Sequence, residues 1–371
     1  MNAYADLPDM MSTAQGACAL PHLGLIHAQG VDAANFLHNQ LSNDFLLLPS
    51  DQARLAAFCN AKGRMQASFM GFKTSPEDVW LVLRQDLLAQ TLKRLRMFVL
   101  RAKVLINDVS GQYEVRGVLG NAVPASLAAA PWALQLDAQA WTVRLYPAQS
   151  HGRALQIVPV GTALSAPALP LQDWMLSEVL SGVADVQAAT FEAFVPQMLN
   201  YESVGGVNFQ KGCYPGQEVV ARSQFRGTLK RRAYLASSSA ALLAGEEVFS
   251  ASDPSQPSGI VAQACHHPVH GHWALVCLQN SALEETAGVL NTALGASLGL
   301  HALPYLQRFL SCEKRHWQAL KTASQTKIEA ALQRFPQPYE AGDFLRPTLA
   351  PSLGRAQGHS ARWHWPKYQP R

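Results

Sequence analysis

Charge is scarce in this chain: Asp, Glu, Lys and Arg make up 15% of 371 residues, against the ~25% usual for a globular protein. The six cysteines, at positions 18, 59, 213, 265, 277 and 312, contain no C-x-x-C pair, so no ready-made zinc or iron–sulfur ligand set is written here. Their sparse, unpatterned spacing suits a reducing compartment, the cytoplasm. There is no G-x-x-x-x-G-K-[ST] loop and no strand-placed G-x-G-x-x-G, which removes the common phosphate and dinucleotide cradles. A G-x-S-x-G nucleophile elbow is absent too. Met1 to Gly16 holds no positive segment followed by an apolar run, so no signal peptide is read. Long apolar runs are also missing. The uncharged stretches 117–136 and 286–307 are broken by Asn121, Pro124 and Pro131, and by Gly288, Gly295, Gly299, His301 and Pro304. No membrane span is expected.

What is present is a chain long enough for two or three domains with 48% apolar residues, which excludes wholesale disorder. The net charge of +4 is uneven. From Leu306 onward 11 Lys/Arg face 4 Asp/Glu, a balance of +7, which leaves −3 on the rest. The body of the chain is therefore not expected to bind nucleic acid, and any attraction to polyanions resides in the tail.

Periodicity gives a strand at Leu23–Ala28. A helix capped by Asp32 follows, with its stripe at Phe36, Leu37 and Leu41. Strands at Arg54–Cys59 and Met65–Phe72 are joined by the turn Asn60 to Gly63. A strand at Val79–Leu83, a helix at Leu87–Val99 and a strand at Lys103–Ile106 complete the set. The order β-α-β-β-β-α-β is an elaborated ferredoxin-like pattern, hence α+β. A second, looser unit of the same kind has strands at Tyr113–Leu119, Ala140–Leu145 and Ala154–Val158 and a helix at Leu171–Leu180. After Gly227 short apolar runs recur between turn signals, which reads as a small β-sandwich or barrel. The expected divisions are 15–110, 111–227, 228–305 and 306–371, the last a polar helix to about Phe335 followed by a basic, poorly ordered tail.

The most informative stretch runs from Gly205 to Arg222: GGVNFQKGCYPGQEVVAR. Pro215-Gly216 suits the centre of a type II turn, since Pro presets φ and Gly accepts a positive one. Gly212 frees the backbone just before Cys213, so the thiol can face a ligand, and Lys211 and Arg222 favour its thiolate. Glu218 and Arg222 can pair at i, i+4 if a helix follows the turn. The plainer alternative makes Cys213 a small turn residue with no chemistry.

The segment KGCYPGQE followed by VAR resembles the signature of the YgfZ-type folate-binding proteins, relatives of the glycine-cleavage T protein (aminomethyltransferase). Supporting segments are Gln40 to Asp44, Cys59 to Arg64, Phe194 to Asn200, Arg226 to Arg231 and Leu303 to Tyr305, so the resemblance spans about residues 15–306. It implies a pair of α+β units plus a small β-barrel, arranged as a ring around a folate-sized hole. It implies tetrahydrofolate or a one-carbon derivative as ligand. It also implies a role in sustaining iron–sulfur enzymes, including those that methylthiolate tRNA, with iron–sulfur enzymes or assembly proteins as partners of a monomer. Trp174 matches an aromatic residue lining the folate site, where an indole can stack on the ligand; its alternative is a core aromatic. Lys211, Cys213, Gln217 and Glu218 match the signature. The sequence departs from the T protein in three places. Leu23 stands where a second tryptophan can occur. Leu180 stands where the T protein has a pterin-holding carboxylate, with Glu178 two residues earlier. No catalytic aspartate motif is recognisable near Gln85-Asp86. A folate-dependent transferase or demethylase is therefore the second reading, and it rests on Asp44 or Glu178 as the acid–base group. A hydrolase built on Cys213 is the third; it needs a histidine base, and none lies between His151 and His266.

Three further groupings carry less. His266, His267, His270 and His272 surround a turn at Pro268 and Gly271, and are read as solvated rather than as metal ligands. Lys93, Arg94, Arg96, Arg101 and Lys103 form a basic run, either a wet helix face or a site for an anion. Trp363, Trp365 and Tyr368, interleaved with tail arginines and lysine, could stack on RNA bases.

Overall fold

The computed structural model describes residues 7–137, 140–225, 229–251, 253–285, 290–292, 295, 297–305 and 307. In chain order the elements are β1 (Gly16–Ala19), β2 (Leu23–Gln29), α1 (Ala33–Gln40), β3 (Ala53–Cys59), β4 (Met65–Ser75), β5 (Asp78–Arg84), α2 (Gln85–Met97), β6 (Leu105–Asp108) and β7 (Tyr113–Leu119). Then come β8 (Leu134–Leu136), β9 (Trp141–Arg144), β10 (Arg153–Pro159), α3 (Leu171–Leu180) and α4 (Gln217–Phe225). The last group is β11 (Arg231–Ser238), β12 (Glu247–Ser250), β13 (Asp253–His267), β14 (Gly271–Gln279), α5 (Asn280–Glu285), β15 (Leu290–Thr292) and β16 (Ser297–His301).

Three sheets result. The first has the order β3-β4-β5-β2-β6, the second β1-β7-β10-β9-β8, and the third closes on itself as β11-β14-β13-β12-β15-β16. The fold is α+β with a closed six-stranded barrel, as expected. Strand β1 lies in the sequence ahead of the first sheet yet pairs with β7 of the second, Ala17 opposite Val118. The anticipated helix from Leu306 and the tail fall outside the described residues. Among the described residues no helix is long and apolar enough to cross a membrane.

The first sheet is covered on both faces, which is why its strands read as continuous apolar runs rather than alternating ones. In β5, Val79, Leu81 and Leu83 pack with Phe36 and Leu37 of α1 and Leu88, Leu92 and Leu95 of α2. Trp80 and Val82 point the other way, into a larger core shared with Val115, Val143 and Ile157 of the second sheet and Ala233, Leu235 and Cys277 of the barrel. An aromatic cluster joins the two open sheets: Trp80 lies 4.5 Å from Trp141 and 5.2 Å from Tyr113, ring centre to ring centre. Asp32 precedes α1 but its side chain makes no capping bond. It accepts the Lys103 N–H at 2.7 Å instead, tying the helix start to the segment that leads into β6.

Candidate functional site

A cavity opens in the shared core. The space around it that protein does not fill, open solvent included, is about 590 Å³. Apolar walls come from Leu23, Leu55, Met70, Val82 and Leu155; the polar lining is Arg153, Glu178, Ser181 and Asp185, with Trp132, Tyr146 and Trp174 beside them. Leu23, the residue at a position where the resemblance allows a second tryptophan, is thus a wall of this cavity.

Glu178 is buried on α3 and fully engaged. Its Oε1 meets His22 Nε2 at 3.0 Å and accepts the Trp174 indole N–H at 2.8 Å; its Oε2 accepts from Gln263 Nε2 at 3.1 Å and faces Arg84 at 3.5 Å. Burial works against its charge, but the His22 bond and the Arg84 and Arg153 guanidinium groups outweigh it, and its pKa falls below the usual carboxylate value. Asp185 is treated differently. Its carboxyl has a single long contact, Ser68 Oγ at 3.4 Å. Burial and the neighbouring Glu178 charge push its pKa up, against the pull of Arg84, His22 and Arg153. The site therefore pairs an anchored anion with a carboxyl biased toward holding a proton and with spare hydrogen-bonding capacity.

Arg153 lies over the Trp174 ring at 4.8 Å and donates to Ser177 Oγ and the Tyr146 carbonyl; burial lowers its pKa to about 10. Trp174 itself is wholly buried. The backbone of Gly117 sits so close that a Cβ there would come within 2.3 Å of the indole. The indole, expected to stack on a ligand, borders the cavity with Arg153 over its ring and Gly117 against it, and it donates to Glu178.

The signature segment lies elsewhere. Gly216 has φ +81°, and the Gln217 N–H bonds the Tyr214 carbonyl at 3.2 Å, so the expected Pro-Gly turn forms and α4 starts directly after it. A Cβ at Gly216 would meet the Asn60 carbonyl oxygen at 2.4 Å, so this turn is seated on the Asn60–Gly63 turn. Cys213 is exposed. Lys211 is buried; its Nζ donates to the His38 carbonyl at 2.6 Å and to the Gly212 carbonyl at 3.1 Å, and lies 4.6 Å from the Tyr214 ring. Burial lowers the Lys211 pKa to about 8, partly offset by the charges of Asp44 and Cys213. Asp44 pairs with His38 Nδ1 at 3.1 Å and accepts the Leu47 N–H at 2.9 Å. Burial would raise its pKa, but these bonds prevail and lower it. Glu218 and Arg222 form the expected i, i+4 pair at 2.6 Å, both exposed, worth ~0.3–0.5 kcal/mol. Gln217 is half-buried.

Two groupings thus emerge where one was expected. Trp174 and Glu178 line the cavity; Cys213, Lys211, Gln217, Glu218, Arg222 and Asp44 are not among its lining residues. The expectation that the Cys213 sulfur and the Trp174 indole border one chamber is not met by this cavity. Sequence reading missed His22, Arg84, Arg153, Asp185 and Gln263, which come from five separate segments and carry no local pattern. Of the four turn histidines, His267 pairs with Asp173 at 2.9 Å, and His266 and His272 lie 4.4 Å apart, ring centre to ring centre. No group of three or more metal-binding side chains assembles among the described residues.

Two open five-stranded sheets and a closed six-stranded barrel make up the glycine-cleavage T protein fold. The crystal structure of the glycine cleavage system aminomethyltransferase T from Bartonella henselae matches with a TM-score of 0.57 and 15% identity, over 80% of this chain and 88% of that one. In sequence the chain is 28% identical to an uncharacterized protein of Haemophilus influenzae over 224 residues, 58% of this chain and 71% of that protein. No protein-family model matches it.

Proposed function

We propose that this chain is a folate-binding protein of the YgfZ type, which holds tetrahydrofolate or a one-carbon derivative in the cavity between its sheets and supports iron–sulfur enzymes, among them those that methylthiolate tRNA. The observation that carries the folate reading is Asp185: a carboxyl with spare capacity, beside the engaged Glu178 and Arg153 in a cavity with apolar walls, within a T-protein fold. A pterin edge offers adjacent N–H donors and a carbonyl. Asp185 accepts the former, or donates to the latter when protonated. Glu178, with both oxygens engaged by His22, Trp174, Gln263 and Arg84, ties these groups together rather than meeting ligand.

The same geometry disfavours the transferase reading. Asp44 is bound to His38 away from the cavity lining, and Asp86 accepts the Ala188 N–H at 2.9 Å. The iron–sulfur role rests on the signature resemblance and on an exposed thiol fixed at the turn, where Cys213 is open to exchange with a partner protein.

Calorimetric titration with tetrahydrofolate tests the binding part. Saturable binding is expected, weakened about tenfold or more in Asp185→Asn and unchanged in Cys213→Ser. No heat and no thermal shift at millimolar folate would reject it. For the client role, cells lacking the chain should recover methylthiolated tRNA with the wild type but not with Cys213→Ser; equal recovery with both would remove Cys213 from the account.

A further inference from the structure

A second recess lies outside this cavity. It is lined by Phe58 of β3, Gln66 of β4, Gln90, Thr91, Lys93, Arg94 and Met97 of α2, and Phe191, and holds about 560 Å³ of space unfilled by protein, part of it open to solvent. Three of these side chains each hold a buried polar atom with no hydrogen-bond partner: Gln66 Oε1, Thr91 Oγ1 and Arg94 Nε. Gln66 and Thr91 are 3% and 2% exposed. An unsatisfied buried polar group costs ~1–3 kcal/mol, and three of them belong to residues that line this one recess.

The orphans differ in kind. Gln66 donates its amide nitrogen to Glu192 Oε1 at 2.6 Å, which fixes the amide and leaves its oxygen as an unused acceptor. Arg94 offers an unused donor, with its guanidinium 5.9 Å from the Phe98 ring centre. The Thr91 hydroxyl can do either. Lys93 adds an exposed ammonium. Glu192, next to the lining residue Phe191, is the opposing charge. Its hydrogen bonds from Gln66 and Asn60, and the fields of Arg94 and Lys62, hold its pKa down against burial. Phe191, 38% exposed, and Met97, 67% exposed, supply an accessible apolar surface.

We propose that this recess is a second ligand site, independent of the folate reading, for a small organic oxyanion that carries an N–H donor next to its charge and a flat apolar body. The oxyanion meets Arg94 and Lys93, where a guanidinium edge takes two oxygens at once. The N–H fills Gln66 Oε1, and the flat part lies on Phe191 and Met97.

Two methionines make the test direct, since Met97 lines this recess and Met70 the central cavity. Full-length protein labelled at its methionine methyls is titrated with hippurate, which has a carboxylate, an amide N–H and a phenyl ring. A saturable shift of the Met97 signal is expected, with Met70 unmoved. Benzamide, lacking the carboxylate, should bind at least about tenfold more weakly. Phenyl phosphate, carrying the other oxyanion, supports the site if it too moves Met97 saturably, and its affinity relative to hippurate tells which oxyanion is preferred. Arg94→Met should weaken hippurate about tenfold or more, and Lys93→Met, at an exposed position, should weaken it in the same direction; an unmoved Met70 signal reports that each variant is folded. No saturable Met97 shift with either anion, equal binding of benzamide, or full affinity in both variants overturns the proposal. So does a response confined to Met70. Failure of tetrahydrofolate to move Met70 would bear on the central cavity alone.

Discussion

Replacing Gly117 with alanine isolates the packing on which the central site depends. Gly117 is in the interior of β7, paired with Cys18 on one side and Leu155 on the other. On strand propensity alone the change should help by ~0.5–1 kcal/mol, because glycine is costly inside a strand. Here a Cβ would sit 2.3, 2.4 and 2.7 Å from three atoms of the Trp174 ring. The indole cannot slide freely: its N–H is bound to Glu178 and Arg153 lies over it. Overpacking of this kind costs ~1–3 kcal/mol, so Gly117→Ala should lower the unfolding free energy in urea. Trp174→Leu removes the ring and should cost about 3 kcal/mol through the space it leaves and the bond it loses. In that background the alanine methyl enters vacated space and should be neutral or stabilising. The cycle therefore predicts a coupling of about 2 kcal/mol, measured by urea denaturation of the four proteins. Costs that add to within ~0.5 kcal/mol, or a harmless Gly117→Ala in the wild type, would refute the account of Trp174 as a clamped positioning residue.

Asp185, whose pKa is raised in the folded state by burial and by Glu178, binds its proton more tightly folded than unfolded. Stability should therefore fall as pH rises from its ordinary value of 3.8 through the raised one and level off above it. Asp185→Asn should remove that decline and be relatively more stable at pH 7 than at pH 4; parallel wild-type and variant profiles from chemical denaturation would contradict it. Among the five described cysteines, Cys213 is exposed, Cys59, Cys265 and Cys277 are buried with thiol pKa values pushed up to about 12, and Cys18 is half-buried with its pKa raised to about 11, chiefly by desolvation in each case. Iodoacetamide followed by peptide mass mapping should label Cys213 first, and comparable early labelling at Cys265 would show the barrel to be open there.

The local elements were readable where one physical cause acts alone. The helix at Leu171–Leu180 and the strand at Tyr113–Leu119 coincide with the apolar pattern, and the Pro215-Gly216 turn follows from two residues with opposite φ preferences. Strand β1 was not readable: Gly16–Ala19 is four residues long, and its place is set by distant β7. The site was legible only in part for the same reason. Glu178 was reached only through the resemblance, as the carboxylate two residues ahead of the Leu180 position. Asp185 looks ordinary in sequence, and its raised pKa exists only because Glu178 and the surrounding core are brought to it. The surroundings of Trp174 were not legible either, because a one-dimensional pattern cannot show that Arg153 lies over the ring.

One carboxylate fastens several parts of the chain together. Through Glu178, helix α3 is tied to His22 just ahead of β2, to Arg84 at the end of β5 and to Gln263 in the barrel. These joints share a single ionisation. Acidification that neutralises Glu178 weakens the attachment of the first sheet and of the barrel to α3 at the same moment, so low pH should loosen the body of the protein in concert rather than one lobe at a time.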